Sequence, residues 1–137
     1  MTTKLTPHFT LEELITTKTG LSNIPNVDQT NQLRILCSDI LEPLRGKIGS
    51  PIIIDSAFRS AAVNRAVGGV SNSQHLLGQA ADIQCSLDII FLYHTIADMV
   101  AKGIINVGQC ILYRNSKFVH VSLPTKTLKN EFIIKNK

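Results

Sequence analysis

A chain of 137 residues, 44% of them hydrophobic, is long enough to bury a core without crosslinks and fits one domain. Its three cysteines, Cys37, Cys85 and Cys110, have no paired short spacing, which argues against a disulfide framework and against a cysteine-ligated metal, and leaves them as buried small hydrophobes. No apolar run reaches membrane-spanning length, and a net charge of +4 with no tryptophan and no stacking-aromatic pattern makes a poor nucleic-acid binder.

Thr10-Leu11-Glu12-Glu13 is a capping-box pattern and predicts a short helix, broken between Gly20 and Pro25. A longer helix is expected from Asp28 toward Arg45, because Leu33, Leu36, Ile40, Leu41 and Leu44 recur at helical spacing. Pro43 should kink or end it, and Gly46 and Gly49 should stop it. Pro51 to Ile54 reads as a buried strand, and Ser60 to Val67 as a short helix closed by Gly68-Gly69. A loop over Val70 to Gln74 leads to a second strand, Gln79 to Cys85, with Ala80, Asp82 and Gln84 on one face. Ser86 is placed to cap a helix through Lys102, with Ile89, Ile90, Tyr93, Ile96, Ala97 and Val100 as its inner stripe. Val107–Tyr113 and Lys117–Leu123 form a hairpin around Arg114-Asn115-Ser116. The order implies an α+β fold, an antiparallel sheet with the helices on one face. A single domain over 1–137 is expected: helical scaffold over 1–50, site-bearing sheet and helices over 51–123, and a basic tail over 124–137. The tail carries Lys126, Lys129, Lys135 and Lys137 against Glu131, and reads as a solvated, frayed terminus.

His75, Asp82 and His120 are the residues that suit a metal. Imidazole and carboxylate are zinc ligands, and a catalytic zinc takes three protein ligands with one position open. Seven residues apart on one helix, His75 and Asp82 would lie two turns from each other. Gly78 lets the chain bend so that a strand returns Asp82 beside His75. On a strand, Phe118, His120 and Ser122 share a face while Val119 and Val121 turn into the core, so His120 must find a polar partner. Each residue also has a plainer reading. A lone histidine on an apolar strand more often bonds a backbone carbonyl, and a histidine with an aspartate can be a simple hydrogen-bonded pair. His8 and His94 read as structural.

The wider pattern carries a family likeness. Ser73-Gln74-His75-Leu76-Leu77-Gly78-Gln79-Ala80-Ala81-Asp82 resembles the S-x-H-x-x-G-x-A-x-D signature of D-alanyl-D-alanine carboxypeptidase-like zinc peptidases, grouped with lysostaphin and the hedgehog amino-terminal domain. Ser56-Ala57-Phe58-Arg59-Ser60 with Asn64-Arg65-Ala66-Val67-Gly68-Gly69 is similar to the S-G-Y-R-S…N…V-G-G run of the phage and prophage members. Thr6 to Glu13 and Leu41 to Arg45 also look like that subgroup, so the likeness runs from about residue 5 to residue 123. The resemblance implies zinc on His75, Asp82 and His120, with Arg59 and Ser73 touching substrate. A guanidinium suits that task, since it can grip a carboxylate with two prongs or polarise a carbonyl.

The likeness breaks at the general base. Family members carry a carboxylate three residues before the second histidine or two after it, where this chain has Lys117 and Ser122. Asp55 and Glu131 are the remaining candidates. The reading that follows is a zinc-dependent peptidase acting on peptidoglycan stem peptides or crossbridges, with a phage lysin as its expected setting. The alternative is a weak or inactive zinc-stabilised module that binds wall peptide or another structural protein. A nucleic-acid binder rests on the tail alone. Residues 1–20 lack the apolar core of a signal peptide, so the expectation is synthesis in the cytoplasm, action at the cell wall or in a virion, and a monomer.

Overall fold

The computed structural model describes residues 2–137. A two-stranded ribbon, β1 (Lys4–Thr6) and β2 (Phe9–Thr10), leads into α1 (Leu11–Ile15). The capping box is formed: Thr10 Oγ1 accepts the Glu13 N–H at 3.2 Å, and Glu13 Oε1 accepts the Thr10 N–H at 3.0 Å. The second helix starts one residue early, capped by Asn26, and it does not end at Pro43. It runs as α2 (Val27–Leu36), a π-helical turn (Cys37–Leu41) and α3 (Glu42–Ile48). Proline has no N–H for the carbonyl four residues back, and its ring collides with that carbonyl. The widened turn relieves the conflict, because the Glu42 N–H bonds Cys37 O five residues back and Pro43 falls in the first turn of α3. Gly46 lies inside the helix, and Gly49, at φ 74°, closes it in the left-handed conformation.

Five strands make the main sheet: β3 (Ile52–Ser56), β4 (Ala80–Cys85), β5 (Gln109–Tyr113), β6 (Phe118–Ser122) and β7 (Glu131–Lys135), in the order β3-β4-β6-β5-β7. The first four pair antiparallel, as expected, but β7 joins β5 in parallel. The tail therefore carries an edge strand instead of a frayed end. Parallel pairing follows from its path, since the chain returns from β6 across the sheet end and re-enters beside β5. β3 is the opposite edge, and Ile53 is exposed, so that strand is not wholly buried. Between β3 and β4 come α4 (Ala61–Ala66), capped by Ser60, and a 3-10 turn (Gln74–Leu77).

α5 (Ile89–Ala101) is capped by Asp88, not Ser86, through a 2.7 Å bond to the Ile90 N–H. Its inner face is Leu92, Tyr93, Ile96 and Met99, with Ile90 turned to solvent. One hydrophobic cluster joins the helices to one side of the sheet: Leu33, Leu36, Leu44, Leu92 and Ile96 meet Ala81, Ile83, Leu112, Val119 and Val121. Strand alternation then sends Asp82, His120, Ile111 and Tyr113 to the other side. No helix among the described residues is long and apolar enough to cross a membrane.

Candidate metal centre

The uncovered face of the sheet forms the floor of a cleft of about 750 Å³. Asp82 and His120 are direct partners in the β4–β6 ladder, so pairing register alone brings them together. His120 Nδ1 lies 2.9 Å from Asp82 Oδ1. His75 arrives from the 3-10 turn before β4. Gly78 ends that turn at φ 74°, and a Cβ there would sit 2.5 Å from Gln29 O. Only glycine accepts both the left-handed backbone and this approach to α2. The turn delivers His75 Nε2 to 3.3 Å from Asp82 Oδ1. The rings of His75 and His120 meet edge to face with centroids 5.1 Å apart.

The chemistry of this donor set fits a divalent metal. His75 Nδ1 lies 2.6 Å from Ala57 O, and a carbonyl oxygen only accepts, so that nitrogen carries the proton. In the neutral ring the Nε2 lone pair then faces the cluster. One nitrogen or oxygen from each of His75, Asp82 and His120 lies within 4.8 Å of the others. The 3.3 Å between His75 Nε2 and Asp82 Oδ1 matches two tetrahedral ligands with bonds of ~2.0–2.2 Å. Burial by itself would raise the Asp82 pKa. With no metal bound and both rings protonated, hydrogen bonds from His120 and His75, and the charge of the two rings, outweigh it and hold the carboxyl well below the ordinary range.

Arg59 does more here than its sequence position suggests. Nη2 donates to Asp82 Oδ2 at 3.2 Å, Nη1 to Asn64 Oδ1 at 3.2 Å, and Nε to Ser56 Oγ at 3.2 Å. It braces the second carboxylate oxygen and leaves two of its five N–H groups uncommitted. Asn64, buried, holds Val70 O through Nδ2 at 2.9 Å. A Cβ on Gly69 would lie 2.0 Å from Asn64 Oδ1 and 2.9 Å from Arg59 Nη1, so the Gly-Gly pair is more than a turn. Ser73 lines the cleft and its hydroxyl accepts the His75 N–H at 3.1 Å. Sequence reasoning missed Asn64 and Ala57 as supports. The N…V-G-G run marks the first, but a backbone carbonyl leaves no mark in side-chain chemistry.

Neither carboxylate proposed as a base joins the cluster. Asp55 is exposed and takes a bond from Gln84 Nε2 at 2.8 Å. Glu131 is exposed and takes one from Gln109 Nε2 at 2.6 Å. Lys117 sits in the β5–β6 turn at φ 61°, and Ser122 is buried with its hydroxyl on the Gln109 N–H at 3.0 Å. Among the described residues, Asp82 is the one side-chain carboxylate lining the cleft. His8 bonds Glu42 Oε2 at 2.7 Å, and His94 is exposed against Tyr93, so both lie away from the cluster.

A sheet with helices on one face, and on the other a His–Asp–His group, His75 and Asp82 buried and His120 half-buried, opening into a cleft, defines an α+β protein equipped to hold a metal. Residues 7–122 match the family described as Peptidase M15, and the chain belongs to that family. A 44-residue stretch, 31% of this chain, is 46% identical to the zinc D-Ala-D-Ala carboxypeptidase of Streptomyces albus G. The match spans 17% of that relative's length.

Proposed function

We propose that this chain is a zinc-dependent peptidase acting on the peptides of peptidoglycan, as a carboxypeptidase or an endopeptidase. The observation that carries the reading is the convergence of His75 Nε2, His120 Nδ1 and Asp82 Oδ1 at the floor of an open cleft. Family membership and the likeness to a zinc carboxypeptidase support it. In this reading those three atoms hold zinc. Bound there, the ion supplies Lewis acidity that polarises a carbonyl and acidifies water. The protein supplies the rest. Ala57 O fixes the His75 ring, and Arg59 both steadies Asp82 and offers its two remaining N–H groups to a peptide carboxylate or carbonyl. Ser73, beside His75, presents its hydroxyl to the bound peptide. The likeness to phage and prophage members makes a lysin or a virion component the biological setting, with the bacterial wall as the place of action.

The test is incubation of purified peptidoglycan with zinc-loaded protein, followed by mass spectrometry for new termini. New termini that vanish in chelator and in His75→Ala support the peptidase. Wall clearing that continues unchanged in chelator ends it. A second reading is favoured by one observation, that among the described residues the cleft is lined by no side-chain carboxylate apart from Asp82 to move the water proton. In that reading the chain is a zinc-stabilised module that binds wall peptide or another structural protein without cutting. Stoichiometric zinc with bound but intact peptide selects it.

A further inference from the structure

The far wall of the cleft comes from a part of the chain that the family match does not reach. The match ends at residue 122, yet Thr125, Thr127, Leu128, Lys135 and Lys137 line the same cleft as the cluster. This wall is built in, not draped. Asn130 Oδ1 accepts the Val107 N–H at 2.9 Å, the Glu131 N–H bonds Gly108 O at 3.0 Å, and Phe132 packs edge to face on Tyr93 with centroids 5.8 Å apart. Phe132 thus anchors one face of β7 in the core. The parallel register sets Lys135 beside Tyr113, so its side chain emerges on the cleft face. There Lys135 Nζ lies 5.7 Å from the centroid of the Tyr113 ring, and Tyr113 stacks on Phe118 with centroids 4.6 Å apart.

The charge balance of this wall is one-sided. Lys135 and Lys137 form no ion pair among the described residues, whereas Asp82 is already engaged by Arg59 and both histidines. An ammonium held over an aromatic face, in a cleft whose one lining side-chain carboxylate among the described residues is committed elsewhere, calls for an anion from outside. Its position sets where on a ligand that anion sits. From His120 to Lys135 is two strand spacings and about two residues along the strand, roughly 12 Å, or three to four residues of extended peptide.

We propose that residues 123–137 form a substrate subsite for a peptide carboxylate carried three to four residues from the metal-proximal end, with Lys135 as its anchor. The subsite is separate from Arg59, which stands at the cluster itself. The proposal rests on the peptidase reading for the identity of the ligand as a wall peptide. Thr125 and Thr127 add hydroxyl donors to the same wall, and Leu128 gives the peptide an apolar contact.

The experiment uses the zinc-loaded full chain and two pentapeptides, L-Ala–γ-D-Glu–L-Lys–D-Ala–D-Ala with the glutamyl α-carboxylate free or amidated. Affinity is read by calorimetry and cleavage by mass spectrometry, with zinc content measured for every sample. Wild type is expected to favour the free acid by roughly three- to tenfold. Lys135→Gln should bring the ratio near one, and Lys135→Glu should reverse it, each with one zinc per chain. Equal binding of both peptides by wild type, or a preference that survives Lys135→Gln, overturns the subsite while leaving the peptidase reading intact. Zinc-loaded wild type that binds neither peptide overturns the subsite, and the peptidase reading falls with it only when whole peptidoglycan also yields no new termini.

Discussion

Replacing Gly78 with alanine probes how the site is assembled. Gly78 sits at φ 74°, where an L-residue costs roughly 1–2 kcal/mol, offset by about 0.4–1 kcal/mol from the stiffer unfolded chain. The new Cβ would also lie 2.5 Å from Gln29 O and 3.2 Å from the Leu33 side chain, both on α2, where neither backbone nor core can yield cheaply. Overpacking of that kind adds about 1–3 kcal/mol. Gly49 is a matched control: it has the same φ of 74° after a helix, with nothing within 4 Å of its Cβ position. Gly49→Ala should therefore lose on the order of 1 kcal/mol and Gly78→Ala about 2–4 kcal/mol in urea unfolding of the metal-free protein. The difference reports the clash alone. Because Gln29 Nε2 also holds Leu76 O at 3.0 Å, pushing α2 away moves the turn that carries His75, so zinc affinity should fall in Gly78→Ala and not in Gly49→Ala. If the two variants are equally stable and bind zinc equally, the close packing of α2 on this turn is not what positions His75.

Two further outcomes follow from the buried titratable groups. The Asp82 carboxyl is held below its ordinary pKa, so the native state binds fewer protons; its stabilisation is present above about pH 4 and is lost as pH falls further. Metal-free wild type should lose stability more steeply than Asp82→Asn between about pH 5 and 3, and parallel urea midpoints would show that the carboxylate is not the titrating group. Burial, with Glu13 and Glu42 nearby, pushes the Cys37 thiol up to about 12, and burial also raises Cys110, whereas Cys85 is half-exposed. Ellman's reagent should titrate Cys85 alone in the native protein and all three thiols in urea; fast reaction of two native thiols would contradict the packing around Cys37 or Cys110.

Local chemistry was legible along the chain. The Thr10 capping box, the hairpin before His120 and the alternation that turns His120 away from Val119 and Val121 all follow from neighbours a few residues apart, because caps and pleats are short-range. Pro43 and Ser86 misled for the same reason. A π turn can absorb a proline, and Asp88 competes for the cap, but neither outcome is encoded at one position.

The sequence by itself determined the cast: two imidazoles and an acid, a glycine that allows the bend at residue 78, and apolar periods that place helices on one side of a sheet. Only the tertiary structure decided their company. It set Asp82 against His120 through strand register, bound Arg59 to the Asp82 carboxylate, left Asp55 and Glu131 outside, and turned the lysine-rich tail into a cleft wall. Those contacts join residues 22 to 38 positions apart, and pairing across such distances is settled by how a whole sheet closes its core, not by any local preference.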